Sequence, residues 1–345
     1  MRTTKWKSAA LIGAGRMGRA HATALRELGV ELTAICDSNV NALDELGDAF
    51  NVPNKMRFDS ANRLFERLGG VDIVSIATTA ESHKAFTCLA AEARCGNILC
   101  EKPMATSVED CEAMIVACAA SGTKLAINHQ MRFMDQYLLV KEAMKSGAFG
   151  KMASMTVVGG CFGLAMNGSH YIEAFRYLTG SEPASATAWF SDTALPNPRG
   201  QHFFDQAGEI RIVGTNGHRL NLIIGPDQGH GMTVTYAGAY GHIFVDELQG
   251  EAIITTRKPE HRGMPATRYG MPWNRETVPF PQSDNVKPTK AVLAALAAGQ
   301  DYPNGEDARL VVAALAACYK SAENGNVAVR LDALDEFASR VFPWA

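Results

Sequence analysis

Three glycines, Gly13, Gly15 and Gly18, follow a short apolar run and open a helical pattern. Glycines at this spacing can cradle a phosphate chain. The first permits a tight turn, the second lets a pyrophosphate approach the backbone, and the third lets the helix pack closely. Arg16 and Met17 lie inside the same turn. The helix beyond it offers free N–H groups and the positive end of its dipole to an anion. A second apolar run, Leu32–Cys36, ends in Asp37. An acid placed there, about 20 residues beyond the glycines, can accept hydrogen bonds from ribose hydroxyls. Its local alternative is to cap the next helix.

Polar residues gather at the ends of three further apolar runs. One end carries Thr78, Thr79, Glu81, Ser82 and His83. The next carries Glu101, Lys102 and Pro103, and the last Asn128, His129, Gln130, Arg132 and Phe133. Such groups share one rim only if the runs are parallel strands, because ligands of open α/β sheets bind beyond the carboxyl ends of the strands.

The elements that position them follow from periodicity. Strands are expected at Ala9–Ile12, Leu32–Cys36, Lys55–Phe58, Val71–Ala77, Asn97–Cys100 and Lys124–Ile127. Helices are expected from Met17 to a stop at Gly29, near Asn41–Phe50 and Ala61–Leu68, and over Ser82–Ala93 and Val108–Ala120. Strands alternating with helices give a doubly wound parallel sheet covered on both faces. From Lys151 the pattern becomes strands punctuated by glycine: 152–159, 185–191, 209–213, 219–224, 232–236, 243–247 and 252–256. That pattern predicts an α+β domain with a mainly antiparallel sheet. One helix interrupts it at Ser169–Thr179, with Asn167 as its N-cap and Gly180 as its stop. Residues 257–288 hold six of the fourteen prolines and read as a long ordered loop or arm. Two apolar helices, 291–298 and 308–321, follow, and the last turns near 334–341 have a helical pattern.

With these motifs in order, the chain resembles the glucose–fructose oxidoreductase / inositol dehydrogenase / MocA family. The resemblance rests on the glycine turn, Asp37, Ile76-Ala77-Thr78 followed by His83, Glu101-Lys102-Pro103, Arg132-Phe133 and Gly168-Ser169-His170-Tyr171-Ile172-Glu173. It spans nearly the whole chain. It implies an N-terminal Rossmann domain, residues 1–128, and a C-terminal α+β domain, residues 129–345, built on an open, mostly antiparallel sheet. It also implies that a late helix packs back on the first domain, and that the chain forms homodimers or homotetramers. The implied activity is NAD(P)-dependent hydride transfer at a carbinol or carbonyl of a sugar, sugar nucleotide, cyclitol or related polyol. Lys102 and His170 match the family's catalytic positions. Gly13, Gly15, Arg16, Met17, Gly18, Asp37, Thr78, His83, Glu101 and Lys102 would hold the cofactor. Asn128, Arg132, Asn167 and Tyr171, with Lys102 and His170, would face the substrate.

Chemistry assigns the roles within that scheme. Hydride transfer from a carbinol needs an acceptor for the hydroxyl proton. Lys102 serves if burial and a positive nicotinamide ring favour its neutral amine. Asp37 selects NAD over NADP by repelling a 2′-phosphate, and no arginine follows in Ser38-Asn39-Val40. One departure from the family pattern touches the proton path: Met166 stands where an Asp is usual, one helical turn before His170. That leaves two other readings open, a non-catalytic dinucleotide or sugar sensor and an NAD-dependent glycosidase on the same scaffold.

Bulk properties narrow the classes. The chain has 345 residues, 47% hydrophobic and 20% charged, with net charge −3 and pI near 6.3. The length suits two domains, and the charge gives no case for nucleic acid or an anionic membrane. No apolar run is long enough to span a bilayer, and no apolar segment after Met1–Lys7 suggests a secretion signal. Eight cysteines without paired spacing read as buried free thiols in a reducing, cytoplasmic setting. His202, His218, His230, His242 and His261 show no metal-ligand spacing, so no metal site is expected, and they read as surface or turn residues.

Overall fold

The computed structural model describes residues 5–68, 70–160, 162–193, 197–229, 231–282 and 284–345. His230, Cys161 and the first four residues of the stretch considered as a leader lie outside the described residues.

In chain order, the first part comprises β1 (Ser8–Ile12), α1 (Arg16–Glu27), β2 (Glu31–Cys36), α2 (Val40–Ala49), β3 (Arg57–Phe58) and α3 (Ala61–Leu68). It continues with β4 (Ile73–Ile76), α4 (Ala80–Glu92), β5 (Asn97–Cys100), α5 (Val108–Ser121) and β6 (Lys124–Ile127). Next come α6 (Asp135–Lys145), β7 (Met152–Gly160), α7 (Ser169–Thr179), β8 (Pro183–Phe190), β9 (Gly208–Gly214) and β10 (Arg219–Gly225). Then follow β11 (Thr233–Gly238), β12 (Gly241–Asp246), β13 (Glu251–Arg257), β14 (Trp273–Pro279), α8 (Val286–Ala298), α9 (Gly305–Glu323) and β15 (Val329–Arg330).

The chain divides into two compact units. One comprises Met1–Gln130, Asp284–Ala313 and Glu336–Ala345, the other Met131–Ser283 and Ala314–Asp335. The second unit is therefore not the contiguous stretch 129–345 expected from the sequence. Tertiary contacts explain the difference. Val292, Leu293 and Leu296 of α8 are buried, and α8 lies against α1. Pro303 accepts a hydrogen bond from the Ile127 N–H at 2.8 Å, and Thr106 accepts one from the Phe342 N–H at 2.9 Å.

The first unit has a six-stranded sheet in the order β3-β2-β1-β4-β5-β6, parallel throughout. This is the Rossmann-type doubly wound arrangement. Its central strands are buried on both faces, and all four residues of β4 are buried, as a sheet covered by helices on both sides requires. α5 begins at Ser107, whose side chain accepts the Asp110 N–H, and stops at the left-handed Gly122.

The second unit has a nine-stranded sheet in the order β14-β13-β12-β11-β7-β10-β9-β8-β15. Among the described residues, only the β7–β10 pair is parallel; the other pairs run antiparallel. Three local readings need correction. α6 was not expected. Its N-cap is Met134, without a capping side chain, and its buried face includes Gln136 beside Tyr137 and Val140, so neither cap nor apolar stripe announces it. The stretch 257–288 is not a plain loop, for it contains β14 and the start of α8. β14 is almost wholly exposed and is held by backbone pairing to β13, which leaves no alternation to read. Asn167 does not cap α7. The chain is already helical from Leu164 to Gly168, as a π turn, and the buried Asp205 carboxylate accepts the Ala165 and Met166 N–H groups at 2.8 Å each. Gly180 does stop α7, in the left-handed region at φ +64°.

Among the described residues, no helix is long and apolar enough to cross a membrane.

Candidate functional site

The glycine turn lies between β1 and α1, and each glycine has a measurable reason. Gly13 sits at φ +98°, and a Cβ there would come within 2.8 Å of the Ala77 carbonyl. A Cβ on Gly18 would fall 1.9 Å from the Gly13 carbonyl oxygen, so its job is helix-to-turn approach. At Gly15 a Cβ would meet nothing within 4 Å. That open space lies at the N-cap of α1, where no side chain caps the helix and its first turn carries no acid. The residues fit an anion held by backbone N–H groups. Met17 is buried and Arg16 exposed.

Beside the turn is a cavity of about 430 Å³ lined by Gly13, Asp37, Ser38, Asp59, Ser60, Asn62, Thr78, Thr79, Ser82, Phe86 and Leu89 among others. Gly13, Asp37 and Thr78 were expected there. Asp37 is tied to the turn: its carboxylate accepts the Ala14 N–H at 2.6 Å and the Asn39 N–H at 2.8 Å. Thr79 and Ser82 belong to the strand-end rim expected from the sequence, but Asp59, Ser60, Asn62, Phe86 and Leu89 were missed. The only signal for Asp59 was its place after the short strand β3, two residues long.

His83 and Glu101, expected to contact the cofactor, lie beneath the rim instead. His83 is fully buried, its ring nitrogens 3.0 Å from the Pro103 carbonyl and 3.2 Å from that of Thr78. Burial pushes its pKa down, and the neutral ring donates from one nitrogen at a time. It braces two strand-end loops against each other. Glu101 accepts from His21 at 2.8 Å and from the Asn128 amide at 2.7 Å on one oxygen, and from the Lys102 N–H at 3.3 Å on the other. Burial alone would raise its pKa, but His21, Lys102 and Asn128 outweigh it and hold the carboxyl well below the usual carboxylate range. His21 continues to the Ser75 hydroxyl at 2.6 Å, and Asn128 to Thr289 at 3.2 Å.

Asn128, expected at the substrate, is therefore committed to this network and is 1% exposed. Lys102 is half-buried, with its backbone fixed to Glu101. The depressed Glu101 pKa has a sign that can be tested. Its stabilisation is complete above the ordinary carboxylate value, near 4.5, and is lost as pH falls toward the lowered one. Glu101→Gln is expected to cost about 1–3 kcal/mol at pH 7. Denaturant midpoints measured from pH 7 to pH 3 should show the gap from wild type narrowing.

In the second unit, His170 is the second residue of α7 and half-buried. Met166 and Asn167 are half-buried in the π turn before it. Tyr171 does not face outward as expected. It is 1% exposed, and its hydroxyl donates to Glu247 at 2.8 Å, as does that of Tyr137. Burial raises the Glu247 pKa despite these donors. Arg132 is likewise core: it is 4% exposed, ion-paired to Glu173, with its guanidinium 4.5 Å from the Tyr177 ring centroid. Both side chains carry more apolar surface than polar tip, so packing claims them. Among the described histidines set aside above, His218 is buried in the β9–β10 turn.

A parallel sheet, an uncapped helix behind a glycine turn and an acid at the end of β2 define a Rossmann-fold protein of the dinucleotide class. Residues 7–129 match the family profile described as "Oxidoreductase family, NAD-binding Rossmann fold". Over these residues the chain is similar to that family of oxidoreductases. It is 33% identical over 203 residues to a D-apiose dehydrogenase of Paraburkholderia graminis, covering 54% of this chain and 53% of that one. It is 28% identical over 280 residues to inositol 2-dehydrogenase 2 of Saccharopolyspora erythraea, covering 75% and 78%. The chain spans about half the length of the apiose dehydrogenases it matches. Its fold is similar to that of an Agrobacterium radiobacter oxidoreductase crystallised with NAD+, L-tartaric acid and magnesium, with TM-score 0.80, 22% identity and coverage of 96% and 100%.

Proposed function

We propose that this chain is an NAD-dependent dehydrogenase or reductase acting on a CH–OH group of a sugar, sugar nucleotide, cyclitol or related polyol. The observation that carries the proposal is the open space at Gly15, set before an uncapped helix N-terminus and beside Asp37. The dehydrogenases of apiose and inositol among its relatives support the substrate class. Gly13, Gly15, Arg16, Met17 and Gly18 would hold the pyrophosphate, and Asp37 and Thr78 the nucleoside. Bound NAD supplies the hydride acceptor. Lys102 takes the hydroxyl proton at Nζ, and His170 is a second proton-handling group. Glu101 and His83 position rather than react, since their polar atoms are already bonded within the core. The buried free thiols, with Cys118 pushed up to about 12 mainly by burial, suit a reducing compartment.

The test is a panel of aldoses, cyclitols and sugar nucleotides incubated with NAD+ and followed at the reduced-nicotinamide band. Appearance of NADH with one substrate class supports the proposal. Binding of both ligands without turnover would replace it with a sensor, and glycoside cleavage without net NADH with a glycosidase.

Asp37 sets the cofactor expectation. Its carboxylate would repel a 2′-phosphate, so wild type should favour NADH over NADPH. Asp37→Ala is expected to reduce that preference by about 1.5 kcal/mol or more, the lower end for a charge-assisted hydrogen bond. Fluorescence titration with both nucleotides measures it, and equal affinities in wild type would contradict the assignment.

A further inference from the structure

Besides Asp37, the cavity wall carries Asp59 and Glu81, neither of which has a task so far. Asp59 follows β3 as Asp37 follows β2, and these strand ends are paired at Cys36 and Phe58. The Asp37 N–H donates to the Phe58 carbonyl at 3.1 Å. Cys36 registers both acids: its thiol is pushed up to about 12 by burial first, then by the charges of Asp37 and Asp59. The two carboxylates nevertheless differ in what they can do. Asp37 is anchored through both oxygens, Oδ2 to the glycine turn at the Ala14 N–H and Oδ1 to the Asn39 N–H, which places it with the phosphates and ribose. Asp59 accepts from Arg63 at 2.8 Å, in a pair whose side chains are 66% and 62% exposed. Such an exposed pair is weak and yields readily to a ligand. Phe86 and Leu89 supply apolar wall to the same cavity, a surface on which a flat base can lie.

We propose that Asp59 reads the base of the dinucleotide. A carboxylate offers acceptors only, so one facing position 6 of the purine selects a base that donates there. Adenine does so through its 6-amino group. Hypoxanthine presents a 6-oxo oxygen at that position, which the carboxylate repels. A site built around one hydrogen bond rejects the analogue that cannot make it. This inference rests on the dinucleotide reading of the cavity.

The experiment compares NADH with its deamino analogue, reduced nicotinamide hypoxanthine dinucleotide, by fluorescence titration of the whole chain. Wild type is expected to bind NADH about tenfold tighter or better. Asp59→Asn carries an amide that can donate or accept, and should shrink the ratio to within about threefold. Arg63→Ala removes the exposed partner but keeps the carboxylate, and should retain the preference. Equal affinities in wild type, or an undiminished ratio in Asp59→Asn, would overturn the assignment while leaving dinucleotide binding intact. Absence of saturable binding of either nucleotide to wild type would overturn the dinucleotide reading, and this inference with it. Matching thermal midpoints among the three proteins confirm that the variants are folded.

Discussion

Replacing Gly15 by valine is expected to remove saturable NADH binding while leaving the protein folded. Both halves of this outcome come from local geometry. Gly15 sits at φ −71° and ψ −164°, an extended conformation open to any residue. A Cβ there would touch no protein atom within 4 Å, so the native chain accommodates the branch. The space it fills is the space a pyrophosphate needs. Two charge-assisted hydrogen bonds from backbone N–H groups, each about 1.5–3 kcal/mol, would be lost together, which amounts to roughly a hundredfold or more in affinity. Circular dichroism and a thermal melt check the fold, and fluorescence titration checks binding. Affinity unchanged from wild type would show that this turn is not the nucleotide site. Gly13 makes the contrasting control. At φ +98°, with the Ala77 carbonyl 2.8 Å from any Cβ, a valine there should damage the fold itself.

Lys102→Ala is expected to lower turnover about 10²- to 10⁴-fold, the usual worth of a general acid–base group, with NADH affinity changed by little. Alanine preserves what the surrounding core requires. Glu101 accepts a hydrogen bond from the backbone N–H of residue 102, not from its side chain. His21 and Asn128 continue to satisfy the other oxygen. The loss then falls on the amine alone. Single-turnover kinetics with the substrate found by the panel separate the chemical step from binding. Full activity in this variant would remove Lys102 from the proton path, and the same measurement on His170→Ala tests the second assignment.

The Rossmann half of the fold was legible in the sequence because its signals are local. Buried parallel strands are short runs of apolar residues, as in Ile73–Ile76, and glycine or serine marks helix ends at Gly29, Ser107 and Gly122. The glycine turn and Asp37 are legible for the same reason, since a turn, a helix start and the following strand end lie within one stretch of chain. α6 and β14 were not. One has a polar residue on its buried face and no cap, and the other is held by pairing and buries almost nothing.

The sequence by itself determined which residue types stand at the strand ends, the spacing of the glycines, and the alternation that makes the first sheet parallel. Only the tertiary structure decided which of those polar side chains remain available for chemistry. Asn128, Arg132 and Tyr171 carry groups suited to a substrate, yet Glu101, Glu173 and Glu247 engage them in the core. Partners this distant in sequence cannot be read from spacing, because a buried carboxylate takes whatever donors the folded chain brings within about 3 Å. The reverse holds for Asp59, which looked like an ordinary acid after a two-residue strand. Pairing of β3 with β2 sets it beside Asp37 on the wall of the cavity. Asp205 is the same case in the second unit: it caps the helix start before His170 from 39 residues away along the chain, where local reading had chosen the adjacent Asn167. Helix N–H groups need an acceptor in space, and the fold, not the neighbouring sequence, supplied it.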